Sequence, residues 1–219
     1  MKKYNQLEIY HIESMGTLDG PGVRTVFFLQ GCPLRCDYCH NPDSWLQGKG
    51  QWWTFDDLFE MVKKNQPYFA RTGGVTFSGG EPLMQSENLL AFIKMLKKEN
   101  IHVTIDTSGY KLDEITMKVL RSCDLVILDI KAFDDESYKE ISKMSLFKPL
   151  KTLEFLRENK IKHWIRHVKL PNRPFKLEFL ESLANHPMCE KYEVLKYHSM
   201  GQDKWQPWQN VFKKNYRVG

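Results

Sequence analysis

The chain has no apolar run long enough to cross a bilayer, which argues against a membrane protein. Its opening residues, Met-Lys-Lys-Tyr-Asn-Gln-Leu-Glu, carry charge but no apolar stretch of the kind a secretory signal requires. A cytoplasmic location is therefore expected. Lysines and arginines are scattered, and the net charge of +5 forms no stripe, so no nucleic-acid partner is expected. Internal repeats and linker-like shifts of composition are missing as well, and 219 residues suffice for one sizeable core. One domain over residues 1–219 is the expectation. Cysteine is scarce: five in all, an odd number that argues against a disulfide framework. Cys123, before an apolar strand, and Cys189, between a helix and a strand, read as packed thiols.

The other three cysteines fall within ten residues, Gly31-Cys-Pro-Leu-Arg-Cys-Asp-Tyr-Cys-His40, at the spacing C-x₃-C-x₂-C. A structural zinc site needs four closed ligands. A 4Fe–4S cluster takes one cysteine per iron, so three cysteines leave one iron open to bind and reduce a substrate. The competing reading is a zinc site completed by His40 or a distant thiol, although no second C-x₂-C follows.

Six β-rich runs recur along the chain: Arg24–Leu29, Gly74–Phe77, Val103–Asp106, Leu125–Ile130, His163–Val168 and Tyr192–Lys196. Helical patterns separate them. Thr54-Phe-Asp-Asp57 reads as a capping box opening a helix to about Tyr68. Ser86–Asn100 carries an apolar stripe, and Asp113–Arg121, Asp135–Ile141, Pro149–Asn159 and Leu177–Asn185 follow. Alternating β and α with nearly continuous apolar strands predicts a parallel sheet in an α/β fold. Six units are too few for the eight-unit barrel, so a partial (βα)6 TIM-like barrel is expected, with an open doubly wound sheet as the rival.

Polar residues gather where these strands end. The first runs into the cysteine loop, the second into Ser78-Gly-Gly-Glu-Pro82, the third into Asp106-Thr-Ser-Gly109 and the fourth into Asp129-Ile-Lys131. The fifth carries Arg166 and His167, and the sixth ends at Tyr197-His198. Ends of parallel strands share the face that hosts active sites, and this convergence outweighs any single motif. Each residue also has a plainer reading. Gly79 and Gly80 could form a turn, or let a ligand lie against bare backbone. Glu81 could orient an ammonium group or be an exposed acid. Asp106 and Asp129 close apolar strands, where a carboxylate is costly without a partner, and Lys131 could pair with Asp129. Arg166 could snorkel from a core, and His198 could be a surface histidine. Asp19-Gly-Pro-Gly22 reads as a turn whose place before the first strand is expected to put it near the barrel mouth.

Taken together these residues resemble the radical S-adenosylmethionine (SAM) superfamily, and within it the activases of the pyruvate formate-lyase-activating type. The resemblance rests on the cysteine triplet with Tyr38 before its last member, Gly-Thr-x-Asp-Gly-Pro-Gly at 16–22, Gln-Gly-Cys before the triplet and Cys-His-Asn-Pro after it. It continues in order through Val-Thr-x-Ser-Gly-Gly-Glu, Asp106–Gly109, Asp124–Lys131, Trp164–Arg166 and Tyr197–Gly201. It implies that Cys32, Cys36 and Cys39 ligate a 4Fe–4S cluster whose open iron is chelated by SAM. It further implies that Tyr38, His40, Gly79, Gly80, Glu81, Asp129, Ile130, Lys131, Arg166 and His198 surround that cofactor. Asp106, Thr107 and Asp129 resemble a monovalent-cation site, and Asp19 would help receive a substrate protein.

The implied reaction is reductive cleavage of SAM, fed by a flavodoxin- or ferredoxin-like donor, followed by hydrogen abstraction from a glycine of a partner such as pyruvate formate-lyase. A monomer under anaerobic conditions is the corresponding expectation. Relatives of this type extend further after the Tyr-His segment, whereas fourteen residues follow Trp205 here, and the loop at Pro171–Pro174 is short. Two alternatives stand beside this reading. One keeps the superfamily but takes a small-molecule substrate, as in the synthesis of 7-carboxy-7-deazaguanine. The other is a non-enzymatic metal-binding module.

Overall fold

A computed structural model describes residues 5–171, 173–201 and 203–208. Asn172 and the tail from 209 onward, on which the readings of a short loop and a short C-terminus partly rest, lie outside the described residues.

The six expected strands are present with ends shifted by a few residues: β2 (Arg24–Leu29), β4 (Gly74–Gly79), β5 (Val103–Thr107), β6 (Leu125–Asp129), β7 (His163–Lys169) and β8 (Cys189–Lys196). They pair in parallel and in chain order. A doubly wound sheet reverses its order part-way across; this one does not, and the partial barrel is the fold. Two strands were not foreseen. β1 (Gln6–Gly16) pairs antiparallel with both β2 and β3 (Gln51–Thr54), giving an eight-stranded sheet ordered β3-β1-β2-β4-β5-β6-β7-β8. Its two ends do not pair, so the barrel stays open.

The helices are α1 (Phe55–Asn65), α2 (Ser86–Lys98), α3 (Glu114–Arg121), α4 (Asp135–Ser142), α5 (Phe147–Glu158) and α6 (Leu177–Ala184). Caps set several starts. Thr54 Oγ1 accepts from the Asp57 amide, as the sequence predicts, and Asp113 and Thr116 cap α3 reciprocally. Asp134 caps α4 through the Ser137 amide.

All six helices pack into one apolar layer against one face of the sheet. Phe27, Leu29, Val75, Phe77, Val103, Ile105, Val126, Leu128 and Ile165 point into it. Because side chains alternate along a strand, Arg24, Thr76, Ser78, Thr104, Asp106, Asp129 and Arg166 point the other way, into the barrel. A small apolar cluster of Leu125, Ile127 and Trp164 also lies on that inner side. The inner wall is thus largely polar, which is the chemical precondition for a site there. No described helix is long and apolar enough to cross a membrane.

Candidate active site

The cysteine loop leaves β2 and is held by backbone on all sides. Gly31 and Cys32 donate to the carbonyls of Ser44 and Trp45, Arg35 and Asp37 donate to those of Ser142 and Ile141, and Cys39 donates to Cys36. Gln30 bridges the Asp43 and Leu46 carbonyls at 2.8 and 2.7 Å. The segment after β8 folds over this loop. Trp205, buried, donates its indole N–H to the Cys39 carbonyl at 2.8 Å and meets Trp45 edge-on. Lys204 reaches Asn41, and the His198 ring stacks on His40 at 4.0 Å. Nothing in the sequence marks Trp45 or Trp205 as part of the site, since an isolated tryptophan carries no spacing signal.

The glycines bring a second strand end against the loop. Gly80 and Glu81 donate to the Leu29 and Gly31 carbonyls, both at 2.8 Å. A Cβ on Gly79, whose φ is +110°, would lie 2.3 Å from the Leu29 nitrogen, and one on Gly80 would lie 2.4 Å from the Gly31 oxygen. Both positions require glycine because two backbones nearly touch there.

These elements enclose a cavity of about 190 Å³. Cys32, Cys36, Tyr38, Cys39 and His40 line one side, Gly79 and Gly80 the neighbouring strand end, and Asp106, Thr107, Asp129 and Lys131 the rest. Lys131 binds Asp129 at 2.5 Å and lies over the Tyr38 ring. Burial opposes its charge, but Asp129, Tyr38 and Cys36 hold its ammonium well above the usual range. Burial pushes all three thiols up, Cys36 to about 12, so each must lose a proton to bind metal. Burial also pushes the Asp106 carboxyl up, to about 7, in spite of Arg166 beside it.

The remaining predicted residues stand behind the cavity wall. Glu81 is fully buried, and its carboxylate accepts from the Leu83 amide, the Thr107 hydroxyl, and the Ser108 amide and hydroxyl. Ile130, buried, gives its carbonyl to His167 Nδ1 at 2.7 Å. Arg166 binds Asp106 and Glu193 at 3.0 Å each and the Leu18 carbonyl at 2.7 Å. His198 touches the site through His40. The loop of Asp19, expected near the barrel mouth, has its point of entry corrected. Gly16 pairs with Arg24 at the start of β2, and Gly22 packs against Thr72 and Gly73 just before β4. The loop therefore enters the barrel from its base, opposite the cysteine loop, because the unforeseen β1 runs antiparallel to β2. Its reach inward still brings Asp19 to 3.9 Å from Arg166.

Residues 26–182 match the family model described as "Radical SAM superfamily". Over 90% of its length the chain is 45% identical to the pyruvate formate-lyase-activating enzyme of Clostridium pasteurianum, covering 85% of that protein. It is 38% identical to the pyruvate formate-lyase 1-activating enzyme of Escherichia coli K12, over 90% of this chain and 83% of that one. The chain belongs to the radical SAM superfamily, among the pyruvate formate-lyase-activating enzymes. Among solved structures, Streptococcus suis SuiB bound to its precursor peptide superposes with a TM-score of 0.65 over 80% of this chain and 39% of that one, at 16% identity, a likeness of fold. A domain of pyruvate-formate lyase-activating enzyme from Bacteroides vulgatus superposes at 0.50 and 29% identity, over 63% of this chain and 94% of that one.

The cofactors of a radical SAM enzyme are a 4Fe–4S cluster and SAM, and the residues present fit them. Three soft thiols line one cavity, a donor set suited to iron–sulfur chemistry. Among the described residues no three His, Cys, Asp or Glu side chains converge on a single ion; a cluster, whose irons sit at separate corners, needs no such convergence. The Tyr38 hydroxyl is buried without a hydrogen-bond partner among the described residues. Lys131 supplies a cation for a carboxylate, and Asp129 an anion, at the same cavity.

Proposed function

We propose that this radical SAM enzyme installs a glycyl radical on a partner enzyme, with pyruvate formate-lyase as the substrate protein. The observation that carries the proposal is the pairing of an extended identity to pyruvate formate-lyase-activating enzymes with a cavity that joins three thiols to the Lys131–Asp129 pair. When bound, the cluster and SAM would supply one-electron reductive cleavage, with methionine and a radical able to take a hydrogen atom from a glycine Cα as its outcome.

The chain's own contribution is placement and shielding. Cys32, Cys36 and Cys39 would hold the cluster, three thiolates leaving it a position for SAM. Lys131 would supply the cation for the SAM carboxylate, and the Gly79–Gly80 backbone the bare surface for its methionyl part. Tyr38 and His40 would flank SAM, with His198 stacked on His40. Glu81 and Ile130 act from behind the wall, Glu81 by locking Thr107 and Ser108 and Ile130 by anchoring His167. Arg166 fixes Asp106 and the Leu18 carbonyl. Asp106, Thr107 and Asp129 would hold a monovalent cation at the same cavity. The electron source is a flavodoxin- or ferredoxin-like protein, and the enzyme works in the cytoplasm as a monomer of one domain.

Anaerobic reconstitution with iron and sulfide, then reduction and addition of SAM, is expected to release 5′-deoxyadenosine. Adding pyruvate formate-lyase is expected to give a glycyl radical signal by electron paramagnetic resonance. Release of 5′-deoxyadenosine without that signal on any glycyl radical enzyme would reject the substrate assignment and leave the SAM chemistry standing.

A further inference from the structure

Arg24 is fully buried at the base of the barrel, yet the acceptors around its guanidinium are neutral. Nε donates to Thr76 Oγ1 at 2.6 Å. One terminal nitrogen donates to the Pro21 carbonyl at 2.8 Å and, more weakly, to Thr72 at 3.4 Å. The other donates to the Val75 carbonyl at 2.7 Å and contacts His102 Nδ1 at 3.2 Å. Asp124 and Asp19 act on it only at longer range, and a buried arginine with no carboxylate in hydrogen-bond contact is an expensive way to fill space. Its planar fork, however, fixes several acceptors in one geometry, which lysine or an apolar side chain cannot do.

What the fork fixes is the loop carrying Asp19. Thr76 Oγ1, which accepts from Arg24, donates in turn to the Asp19 carbonyl at 2.6 Å. A Cβ on Gly20 would lie 3.1 Å from Arg24 Cδ and Nε, and Gly20 has φ +128°. From Asp19 and Leu18 the chain of contacts passes to Arg166, then to Asp106, which lines the cofactor cavity. An unbroken column thus runs from Arg24 at the base to the cavity floor. Leu18, at the crest of this loop, is 79% exposed although the two arginines that hold the loop, Arg24 and Arg166, are buried.

We propose that Arg24 is a positioning residue for the partner: through Thr76 and Pro21 it preorganises the Leu18–Pro21 loop against which the substrate protein's glycine segment is set. The inference rests on the proposed function, and its test separates the two. Arg24→Lys, Thr76→Val and Gly20→Ala are compared with the wild type in reconstituted enzyme. Expected for all three are partner-independent 5′-deoxyadenosine release within about twofold of the wild type and a KM for pyruvate formate-lyase raised about tenfold with kcat little changed. Deuterium exchange at the amides of residues 17–20 and 22, read without cofactors, should quicken in each variant. A fluorescent peptide bearing the partner's radical glycine should bind correspondingly more weakly.

Where Arg24→Lys fails to fold, Thr76→Val and Gly20→Ala carry the test. Unchanged KM and peptide affinity in those variants, beside a wild type that forms the radical, would overturn the inference alone. A parallel fall in partner-independent cleavage would also overturn it, by showing a general structural role. A wild type that forms no radical overturns the functional reading and the inference with it.

Discussion

Two kinds of buried charge meet in this barrel, and they are handled differently. At the cavity, opposite charges are matched: Lys131 with Asp129, and Arg166 with Asp106 and Glu193. Behind the cavity wall and at the base, Glu81 and Arg24 are each fully buried and held by neutral groups. An ion pair can exchange one partner for a charged ligand without stranding a charge in low dielectric. A carboxylate wrapped by amides and hydroxyls, or a guanidinium wrapped by carbonyls, offers no such exchange; it fixes the loops that supply those groups. The paired charges are therefore the ones available to a zwitterionic cofactor, and the singly buried ones are anchors.

Substitutions can break this contrast or sharpen it. The largest effect is expected from the ligand loop itself. Cys36→Ala should abolish reductive cleavage of SAM while far-ultraviolet circular dichroism stays that of the folded barrel, and surviving turnover would refute the ligand assignment. Next, Lys131→Met should weaken SAM binding about 10- to 100-fold, the worth of a charge-assisted hydrogen bond, as read by calorimetry on the cluster-loaded enzyme. Undiminished affinity would show that Lys131 is committed to Asp129 and is not exchangeable. Glu81→Gln, by contrast, should act on the fold. It places an amide N–H against the donors of Thr107 or Ser108 and should cost about 2–3 kcal/mol in urea unfolding, with lower SAM affinity following from the loosened loop. A loss of affinity at full stability would instead make Glu81 a direct contact. Smallest is Trp205→Phe, which keeps the ring contact with Trp45 but drops the N–H to the Cys39 carbonyl, for about 1 kcal/mol and a faster loss of iron to chelator.

Local rules carried most of the fold. The six parallel strands announce themselves as apolar runs bounded by turn residues, and the caps at Thr54 and Asp113 are written in the side chains that make them. β1 and β3 escaped because their faces are unequal: Leu7 and Ile9 are buried, but Glu13, Ser14, Met15 and Gln51 face water, so neither run looks apolar. That omission misplaced Asp19, since only an antiparallel strand ahead of β2 delivers the loop to the base. The cysteine triplet and the strand-end residues were legible because their chemistry is concentrated at fixed spacing. What each one touches was not. Glu81 and Lys131 are both charged and both follow a strand, yet one faces a ring of donors and the other the cavity, a difference set by contacts more than 20 residues away in sequence for Glu81 and Thr107.

The cover over the cysteine loop comes from His198, Lys204 and Trp205, some 160 residues after the cysteines in the chain. On the ribosome the three thiols emerge long before Trp205 exists to close over Cys39. A nascent chain of this enzyme accordingly passes through a stage with its cysteine loop uncovered, and the sequence order alone makes shielding a late event in its biogenesis.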